Sequence, residues 1–238
     1  QENDKIGIIG INGTGKSTLL KIIAGVEEPQ QGTVTKANGT VISFLSQHPI
    51  FSEDETVIEH VLKNNTEKNH AWDIETQAKS LLTKFGLTDF NQKLSELSGG
   101  QKKRVSLISV LVSPADILVL DEPTNHLDSE MAEYLEEYLK AFKGALVMVT
   151  HDRYFLDSVT NRIVEIDKGK LYRYDTNYSG FLALKAEREE MAMASDRKRK
   201  SILRTELKWI QRGALARSTK QKARIERYEE MKSQKDFK

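Results

Sequence analysis

The stretch Gly10-Ile11-Asn12-Gly13-Thr14-Gly15-Lys16-Ser17, followed at once by Thr18, decides how this chain folds. Its spaced glycines, lysine and hydroxyl residue match the pattern that cradles nucleotide phosphates. Isoleucines at positions 6, 8 and 9 predict a buried strand before it, and apolar residues within positions 17–24 predict a helix after it. Because backbone N–H groups and the helix dipole favour an anion there, a nucleotide phosphate site is favoured over an ordinary glycine-rich turn.

This segment, the phosphate loop, supplies the first group of candidate ligands. Lys16 is expected to reach the outer phosphates, and the Ser17 hydroxyl is expected to coordinate Mg²⁺. The candidate residues for nucleotide contact are Gly10, Asn12, Gly13, Thr14, Gly15, Lys16, Ser17 and Thr18.

Length and composition restrict the kinds of protein that this chain can be. A length of 238 residues suggests one large domain, or one domain with an appendage. The absence of cysteine excludes disulfides and thiolate metal sites. No stretch resembles a signal peptide or approaches the roughly 20 apolar residues that span a bilayer. We therefore expect a soluble, cytoplasmic protein without a transmembrane segment of its own.

The charges are unevenly distributed along the chain. Residues 185–238 contain 17 lysines and arginines against 9 acidic residues, a net charge of +8, which leaves −7 for residues 1–184. This asymmetry predicts an acidic globular body with a basic arm, and basic arms commonly bind nucleic acid. On charge alone, a solvated lysine-rich helix is an equal alternative.

Predicted strands and helices alternate along the first 180 residues. The strands are predicted at residues 117–120, 145–149, 162–167 and 170–174. The helices are predicted at residues 56–63, 74–85, 99–111 and 131–142. The dipeptide Asn38-Gly39 predicts a hairpin between residues 32–34 and 41–45, and the polar stretch at residues 62–73 predicts a loop. This alternation predicts a layered α/β fold with a largely parallel sheet.

Two acidic residues follow directly after the buried strand at residues 117–120. They lie where ligands bind in open α/β sheets, at the C-terminal end of a strand. We expect Asp121 to hold Mg²⁺ through water, and Glu122 to polarise the water that attacks the γ-phosphate. His151 follows a neighbouring strand and is a candidate for γ-phosphate contact, although a lone histidine is more often structural. Gln47 is a weaker candidate when taken alone.

From Phe181 onward the sequence changes character. Neither Gly nor Pro occurs from Phe181 to Arg212, which predicts one long helix. Residues 213–219 offer a break, and residues 225–231 carry apolar side chains at helical spacing. The simplest arrangement of this basic arm (residues 181–238) is an antiparallel helical hairpin with its tip near residues 213–219.

The order of these motifs resembles that of the ATP-binding cassette ATPases across residues 5–178. The succession is the phosphate loop, Gln47, the signature pentapeptide Leu97-Ser98-Gly99-Gly100-Gln101, residues 120–123 and His151. The resemblance implies a Mg²⁺-dependent ATPase that converts ATP and water to ADP and phosphate. It also implies an α/β P-loop NTPase fold with a layered sheet, flanking helices, a small antiparallel β part and a helical insertion at about residues 50–112.

The same resemblance implies a role for each motif. Gln47 corresponds to the Q-loop residue, Asp128 to the D-loop residue and His151 to the switch histidine. The implied catalytic residues are Glu122, His151 and Gln47. The implied metal ligands are Ser17, Gln47 and Asp121.

In that family the pentapeptide does not act on the nucleotide of its own domain. It caps the ATP held by the phosphate loop of a second cassette, with its serine and glycine amides facing the γ-phosphate. The start of a helix at Ser98, Gly99 and Gly100 suits this role, because the sequence predicts unobstructed N–H groups there. The residues implied to contact that nucleotide are Ser98, Gly99, Gly100, Gln101 and Asp128. One cassette alone is therefore expected to bind ATP and to hydrolyse it weakly.

The segment Glu122-Pro123-Thr124-Asn125-His126-Leu127-Asp128 looks like that of the ABC-F branch, and closest to its Uup-like bacterial subgroup. ABC-F proteins carry two cassettes in one chain, lack a membrane domain, and act on the ribosome as translation factors or antibiotic-resistance proteins. Residues 206–225 look like the helical linker between those cassettes, which reaches toward the peptidyl-tRNA. Residues 1–180 would then be the first cassette, and Arg197-Lys198-Arg199-Lys200 suits contacts with RNA phosphates.

Two alternatives stay open on the sequence alone. The chain could be the ATPase subunit of an ABC transporter, with a membrane partner docked near Gln47 and residues 50–95, but that interpretation leaves the basic arm unexplained. The arm could also bind DNA, because phosphate contacts do not distinguish the two nucleic acids.

The chain departs from the family pattern at its start. Only nine residues precede Gly10, and the upstream strand whose aromatic residue stacks on adenine in the family has no counterpart. We therefore expect the cassette to be incomplete at its N-terminus, and no residue is assigned to the adenine base.

Overall fold

The computed structural model describes residues 3–47, 49, 51–52, 54–63 and 71–211. The chain divides into two compact units, Gln1–Ser179 and Gly180–Lys238. The first unit contains a six-stranded sheet with helices, and the described part of the second unit is helical. No helix within the described ranges has both the length and the apolar character needed to cross a membrane.

The described elements are six strands, seven α-helices and a 3₁₀ helix at Leu94–Glu96. The strands are β1 (Lys5–Gly10), β2 (Ile42–Leu45), β3 (Ile117–Asp121), β4 (Ala145–Val149), β5 (Arg162–Asp167) and β6 (Lys170–Tyr174). The helices are α1 (Lys16–Ile23), α2 (Val57–Leu62), α3 (Ala71–Lys84), α4 (Gly99–Val112), α5 (Ser129–Ala141), α6 (Arg153–Val159) and α7 (Tyr178–Gln211).

The strands form one mixed sheet in the order β2-β3-β4-β1-β5-β6. The first five in this order run parallel, and β6 pairs antiparallel with β5 across the turn at Lys168-Gly169. Both turn residues have positive φ, 50° and 72°, as a tight two-residue hairpin requires. Asp121 pairs with Val149, so the loops after β3 and β4 leave the sheet side by side. The prediction of a layered α/β fold with a largely parallel sheet is confirmed.

Helices cover both faces of the sheet. Leu118 and Leu120 of β3 belong to a large buried cluster with α2, α3, α4, α5 and α6, whereas Val119 belongs to a smaller cluster with α1. This alternation follows from the two-residue period of a strand. Consequently α1 and α4, the two helices whose first turns carry the glycine motifs, lie on opposite faces of the sheet.

The hairpin predicted around Asn38-Gly39 is wrong. The dipeptide does form a turn, but residues 32–34 are not a strand, and β2 pairs parallel with β3 instead. The parallel pairing aligns Leu45 with Leu120, both buried, whereas Val34 stays 54% exposed. Burial beside a central strand outweighs a local turn preference, because a two-stranded hairpin by itself is marginal in water.

The helix predictions are confirmed to within a few residues at their ends. Gly86 ends α3 as predicted, with a φ of 70°. Its N–H donates to the Thr83 carbonyl at 3.0 Å, and the Leu87 N–H donates to the Leu82 carbonyl at 2.8 Å. These two bonds satisfy carbonyl groups that the helix end would otherwise leave without a donor.

The loop predicted at residues 62–73 is wrong at both ends. Leu62 is the last residue of α2, and α3 begins at Ala71, where no glycine or proline opposes extension of the helical pattern. Residues 64–70 of that prediction lie outside the described residues.

The described part of the second unit is the continuous helix α7, which ends at Gln211. It confirms the long helix predicted from Phe181, within the described residues. Several apolar side chains of this helix are exposed, namely Leu182, Leu184, Met191, Met193 and Ile202. The predicted break at residues 213–219, which would form the tip of the hairpin, and the second helix at residues 225–231 lie beyond the part of the chain that the structure describes.

Candidate active site

The phosphate loop joins β1 to α1 and leaves the first turn of α1 open to a ligand. Gly15 is the N-cap residue of α1 and has a φ of 89°, a left-handed conformation that glycine adopts without strain. Within the described residues, no side chain caps α1, and its first turn contains no acidic residue. The N–H groups at this helix start are therefore available to an anion.

Close packing fixes the shape of the loop. A Cβ on Gly10 would lie 2.7 Å from the Ile166 carbonyl oxygen, so no larger residue fits there. The Thr14 hydroxyl donates to the Ile11 carbonyl at 2.9 Å. The Lys16 ammonium donates to the carbonyl oxygens of Gly10 at 2.7 Å and Ile11 at 3.1 Å. These two carbonyl groups thus hold the Lys16 side chain against the phosphate loop.

An open cleft of about 440 Å³ lies beside the loop, at the C-terminal ends of β3 and β4. This volume is in the range of small-molecule sites. The phosphate loop contributes residues 12, 13 and 15–18 to its lining. The other lining residues are Gln47, Asp121, Glu122, Val149 and His151. All residues predicted to be catalytic or to bind metal therefore line one cleft, although their chemical roles stay predictions.

Asp121 provides the test of whether this cleft suits a divalent cation. The residue is only 4% exposed, and among the described residues its Oδ1 has no hydrogen-bond partner. Such an atom is costly to bury unless a ligand satisfies it. With the Ser17 hydroxyl and the Gln47 amide, it offers the oxygen ligands that Mg²⁺ prefers. No three His, Cys, Asp or Glu side chains of the described chain are grouped to hold a metal. In nucleotide sites Mg²⁺ commonly takes one or two protein ligands together with phosphate and water.

Glu122 is held firmly at the end of β3. Its φ is 53°, an unusual value for a residue with a side chain, and its N–H donates to the Val149 carbonyl at 2.8 Å. The side chain is 8% exposed, and its Oε2 accepts from the His151 N–H at 3.3 Å. Burial raises the pKa of Glu122, while the nearby His151 acts in the opposite direction. A raised pKa makes the carboxylate a better proton acceptor near neutral pH.

His151 joins this carboxylate to the surface of the cleft. Its Nε2 lies 3.4 Å from Glu122 Oε1, and its side chain is 68% exposed. Sequence reasoning missed two neighbours that hold this loop. The Thr150 hydroxyl lies 3.0 Å from the Thr124 hydroxyl and accepts from the Asp152 N–H at 3.2 Å. Two threonines distant in sequence give no pattern, so only the paired strand ends reveal them.

Helix α6, which follows, was also missed. Asp152 Oδ1 accepts from the Phe155 N–H at 3.0 Å and caps the helix. The signal was present, because an aspartate before an apolar run is a typical helix start. The helix is seven residues long, which is too short for a clear periodic pattern.

The signature pentapeptide does not line this cleft but lies at the start of α4. Ser98 Oγ accepts from the Gln101 N–H at 3.3 Å, and Gln101 Oε1 accepts from the Ser98 N–H at 2.9 Å. This reciprocal pair is a capping box. The expectation that the Ser98 N–H is unobstructed is therefore wrong, because the Gln101 side chain already accepts from it. The N–H groups of Gly99 and Gly100 are the ones that a ligand could use.

Asp128 does not line the cleft either. Its Oδ1 accepts from the Met131 N–H at 2.9 Å and caps α5. The structure therefore gives this residue a local role at a helix start, and its contact with a nucleotide stays a prediction.

Comparisons with known proteins agree with this site. A family model described as ABC transporter matches residues 1–125, and a second model with the same description matches residues 164–237. The uncharacterized ABC transporter ATP-binding protein YfmR of Bacillus subtilis (strain 168) is 46% identical over 270 residues, which covers 98% of this chain and 43% of that protein. The energy-dependent translational throttle protein EttA of Mycobacterium tuberculosis (strain CDC 1551 / Oshkosh) is 38% identical, covering 95% of this chain and 47% of that protein.

A solved structure extends the comparison to the fold. The archaeal ribosome recycling factor aABCE1, in complex with the ribosomal stalk protein aP1, gives a TM-score of 0.60 at 30% identity. The match covers 73% of this chain and 34% of that one. The chain spans less than half the length of the two curated relatives. By the family match over residues 1–125 and the cleft that these residues help to form, the chain belongs to the ABC transporter family, as an ATP-binding cassette.

Proposed function

We propose that this cassette binds ATP with Mg²⁺ in the cleft beside the phosphate loop and hydrolyses the ATP to ADP and phosphate when a second cassette completes the site. The observation that carries the proposal is the composition of the cleft. An uncapped helix start, a lysine, a buried aspartate and a glutamate with a raised pKa all border one volume of about 440 Å³.

The residues divide the chemistry between them. The N–H groups of the phosphate loop and the Lys16 ammonium bind the phosphates, and Ser17, Gln47 and Asp121 hold the metal. Bound Mg²⁺ neutralises charge on the phosphate oxygens. Glu122 accepts a proton from the attacking water, and His151 orients the carboxylate through its 3.3 Å and 3.4 Å contacts.

The proposal includes a second cassette because the N-terminus of α4 does not line the cleft beside the phosphate loop. The N–H groups of Gly99 and Gly100 lie outside the cleft, so they cannot contact a nucleotide bound by their own phosphate loop. We infer that they face the γ-phosphate of ATP held by another cassette. Relatives about twice as long as this chain leave room for a second cassette in the same protein.

We further infer that the protein is an ABC-F ATPase of the cytoplasm that acts on the ribosome. The relative EttA is, by its name, a translational throttle protein, and aABCE1 is a ribosome recycling factor. Residues 185–238 carry a net charge of +8, which suits contact with ribosomal RNA or tRNA. Translation support, antibiotic resistance and the Uup-like subgroup are finer predictions within this proposal.

The first experiment tests hydrolysis. The background is the proposed full-length two-cassette protein, in which the other ATP site has been inactivated by mutation. In it, Glu122→Gln should retain ATP binding. It should lower turnover about 10²- to 10⁴-fold, the usual contribution of a general base. Glu133→Gln, an exposed glutamate on α5, is the matched control and should leave turnover unchanged. Unaltered turnover of Glu122→Gln would contradict the assignment.

The second experiment tests the partner. Glu122→Gln protein with ATP should co-sediment with ribosomes more than the Glu133→Gln control, and the bound fraction should fall with rising salt. Equal co-sedimentation with and without ATP would count against the ribosomal role. Preferential capture of branched DNA in competition, or co-purification of a membrane protein, would favour the DNA-binding or transporter alternatives instead.

A further inference from the structure

His126 lies in the segment between β3 and α5, and the proposed function gives it no role. Its Nε2 is 3.2 Å from the ammonium nitrogen of Lys103, the fifth residue of α4. A Cβ placed on Gly100 would lie 3.6 Å from His126 Cβ and 3.8 Å from its Nδ1, so the space beside this glycine is bordered by the His126 side chain. The His126 side chain therefore contacts Lys103 of α4 and lies beside the space next to Gly100.

The contact with Lys103 defines the protonation of the ring. A lysine ammonium has three hydrogen-bond donors and no acceptor. His126 Nε2 must therefore accept, which requires a neutral imidazole with its proton on Nδ1. A protonated imidazole in the same place would oppose the lysine charge. A hydrogen bond from Lys103 to Nε2 would therefore select one of the two neutral tautomers.

A short segment with two turns connects His126 to Glu122. His126 has a φ of 68°, and Glu122, four residues earlier, has a φ of 53°. Two turns connect them, with the Asn125 N–H donating to the Glu122 carbonyl at 3.3 Å and the Leu127 N–H donating to the Thr124 carbonyl at 3.3 Å. Two left-handed residues within so short a segment persist only when the surroundings hold them.

We propose that His126 is a positioning residue that joins the N-terminal part of α4 to the loop carrying Glu122, through its contact with Lys103. The Glu122 carboxylate serves the cassette's own cleft, whereas the Gly99 and Gly100 amides serve a second cassette. The His126 contact therefore couples the two half-sites within one chain. The effect of this coupling on turnover rests on the proposed ATPase function, whereas the contact between His126 and Lys103 does not.

The direct test is nitrogen NMR of the isotopically labelled chain, at a pH where histidine is neutral. Wild type should show a protonated Nδ1 and an unprotonated Nε2 for His126, and Lys103→Met should shift the ring toward a mixture of tautomers. Lys102→Met, one residue away on α4, is the matched control and should leave the His126 signals unchanged. A protonated Nε2 in wild type, or no response to Lys103→Met, would overturn the proposed contact.

Kinetics of the full-length two-cassette protein test the positioning role. His126→Asn lacks a polar atom at the Nε2 position but tolerates a left-handed backbone, and Lys103→Met lacks the donor. Each should lower kcat about fivefold with little change in KM, the loss expected for one ordinary hydrogen bond, because the Lys103–His126 contact is exposed to solvent. The double variant should lose no more than either single variant, and His126→Gln, whose amide oxygen can reach Lys103, should restore most of the turnover.

The outcomes separate this inference from the proposed function. Additive losses, or a failure of His126→Gln to restore turnover, would overturn the positioning role even if the NMR contact is present. If wild-type full-length protein binds ATP but does not hydrolyse it, the proposed ATPase function fails and the coupling fails with it, whereas the NMR result still decides the Lys103 contact.

Discussion

Two helices of this cassette begin with glycine motifs, and they differ in how their first turns are satisfied. The first turn of α1 has no side-chain cap within the described residues, and it borders the cleft with Lys16, Asp121 and Glu122. The first turn of α4 has a complete capping box from Ser98 and Gln101 and lies away from that cleft. The N–H groups at the start of α1 have no side-chain acceptor within the described residues and are open to a ligand. The start of α4 is capped, and the N–H groups of Gly99 and Gly100 are left for a further contact.

This difference distinguishes the two kinds of anion site that a helix start can provide. Under the proposed function, a ligand at α1 would take the place of the missing cap, so that binding and local stability would be linked. At α4 the cap already satisfies part of the helix start, and the amides of Gly99 and Gly100 would be used only when a second cassette approaches. Substitutions at α1 should therefore change nucleotide binding by this chain, and substitutions at α4 should change turnover in the assembled site.

The largest expected effect concerns α1. Lys16→Ala should weaken ATP binding by the isolated chain about 10- to 100-fold, because hydrogen bonds to charged groups contribute about 1.5–3 kcal/mol. Lys21→Ala is the matched control on the same helix, since Lys21 pairs with the exposed Glu27 at 2.8 Å and does not line the cleft. Titration of a fluorescent ATP analogue measures both variants, and equal affinities would contradict the assignment of α1.

The next prediction concerns α4. Gly99→Asp should lower ATP turnover of the full-length two-cassette protein by about tenfold or more, because a carboxylate would oppose the phosphate that the amides face. It should leave ATP binding by the isolated chain unchanged, and acidic residues favour a helix N-terminus, so the fold should not be weakened. Gly99→Asn adds a side chain of the same size without the charge. A loss of ATP binding by isolated Gly99→Asp chain would break the distinction between the helices.

A smaller effect is expected from the cap of α4. Ser98→Ala should lower the free energy of unfolding by about 1 kcal/mol, the usual value of an N-cap serine. For a chain of this size, this corresponds to a fall in Tm of about 2–4 °C. Ser95→Ala, an exposed serine three residues earlier, is the control and should change Tm little. Calorimetry that finds equal Tm values for the two variants would show that the capping box contributes nothing.

The smallest effect concerns the ionisation of Glu122. Burial raises its pKa above the ordinary value of 4.5. The stabilising contribution of the protonated carboxyl is therefore complete below that value and is lost as the pH rises through the raised pKa. Glu122→Gln cannot ionise, so it should raise Tm relative to wild type at about pH 8 and change it little at about pH 4. A Tm difference that is independent of pH would contradict the buried state of this carboxylate.

The residues that line the cleft were predicted better from the sequence than the strand pairing and side-chain contacts around it. The phosphate loop, Asp121, Glu122 and His151 are predictable because their chemistry requires particular residue types at strand ends. The parallel pairing of β2 was not predicted, because the nearby Asn-Gly turn is a local signal and the buried partner β3 is more than 70 residues away. The same limit applies to the contact of Lys103 with His126, which depends on side chains 23 residues apart.

The capping box of α4, which was not predicted from the sequence, shows a subtler limit. The residues Ser98 and Gln101 are separated by three positions, which is the spacing of a capping box. The same residues also suit a phosphate contact, and the sequence alone does not decide between the two uses. The hydrogen bonds at 2.9 Å and 3.3 Å show that the helix itself uses both side chains, which leaves the glycine amides for the ligand.

The most direct test of the account is ATP turnover by this chain alone, at protein concentrations of about 10 nM, where weak pairing between copies is negligible. If α1 and α4 of one chain serve different nucleotides, as we propose, the chain should bind ATP and hydrolyse it at least about 100-fold more slowly than the proposed two-cassette protein. Turnover by the isolated chain that matches the full-length protein would show that one cassette contains a complete catalytic site, and would contradict the central claim.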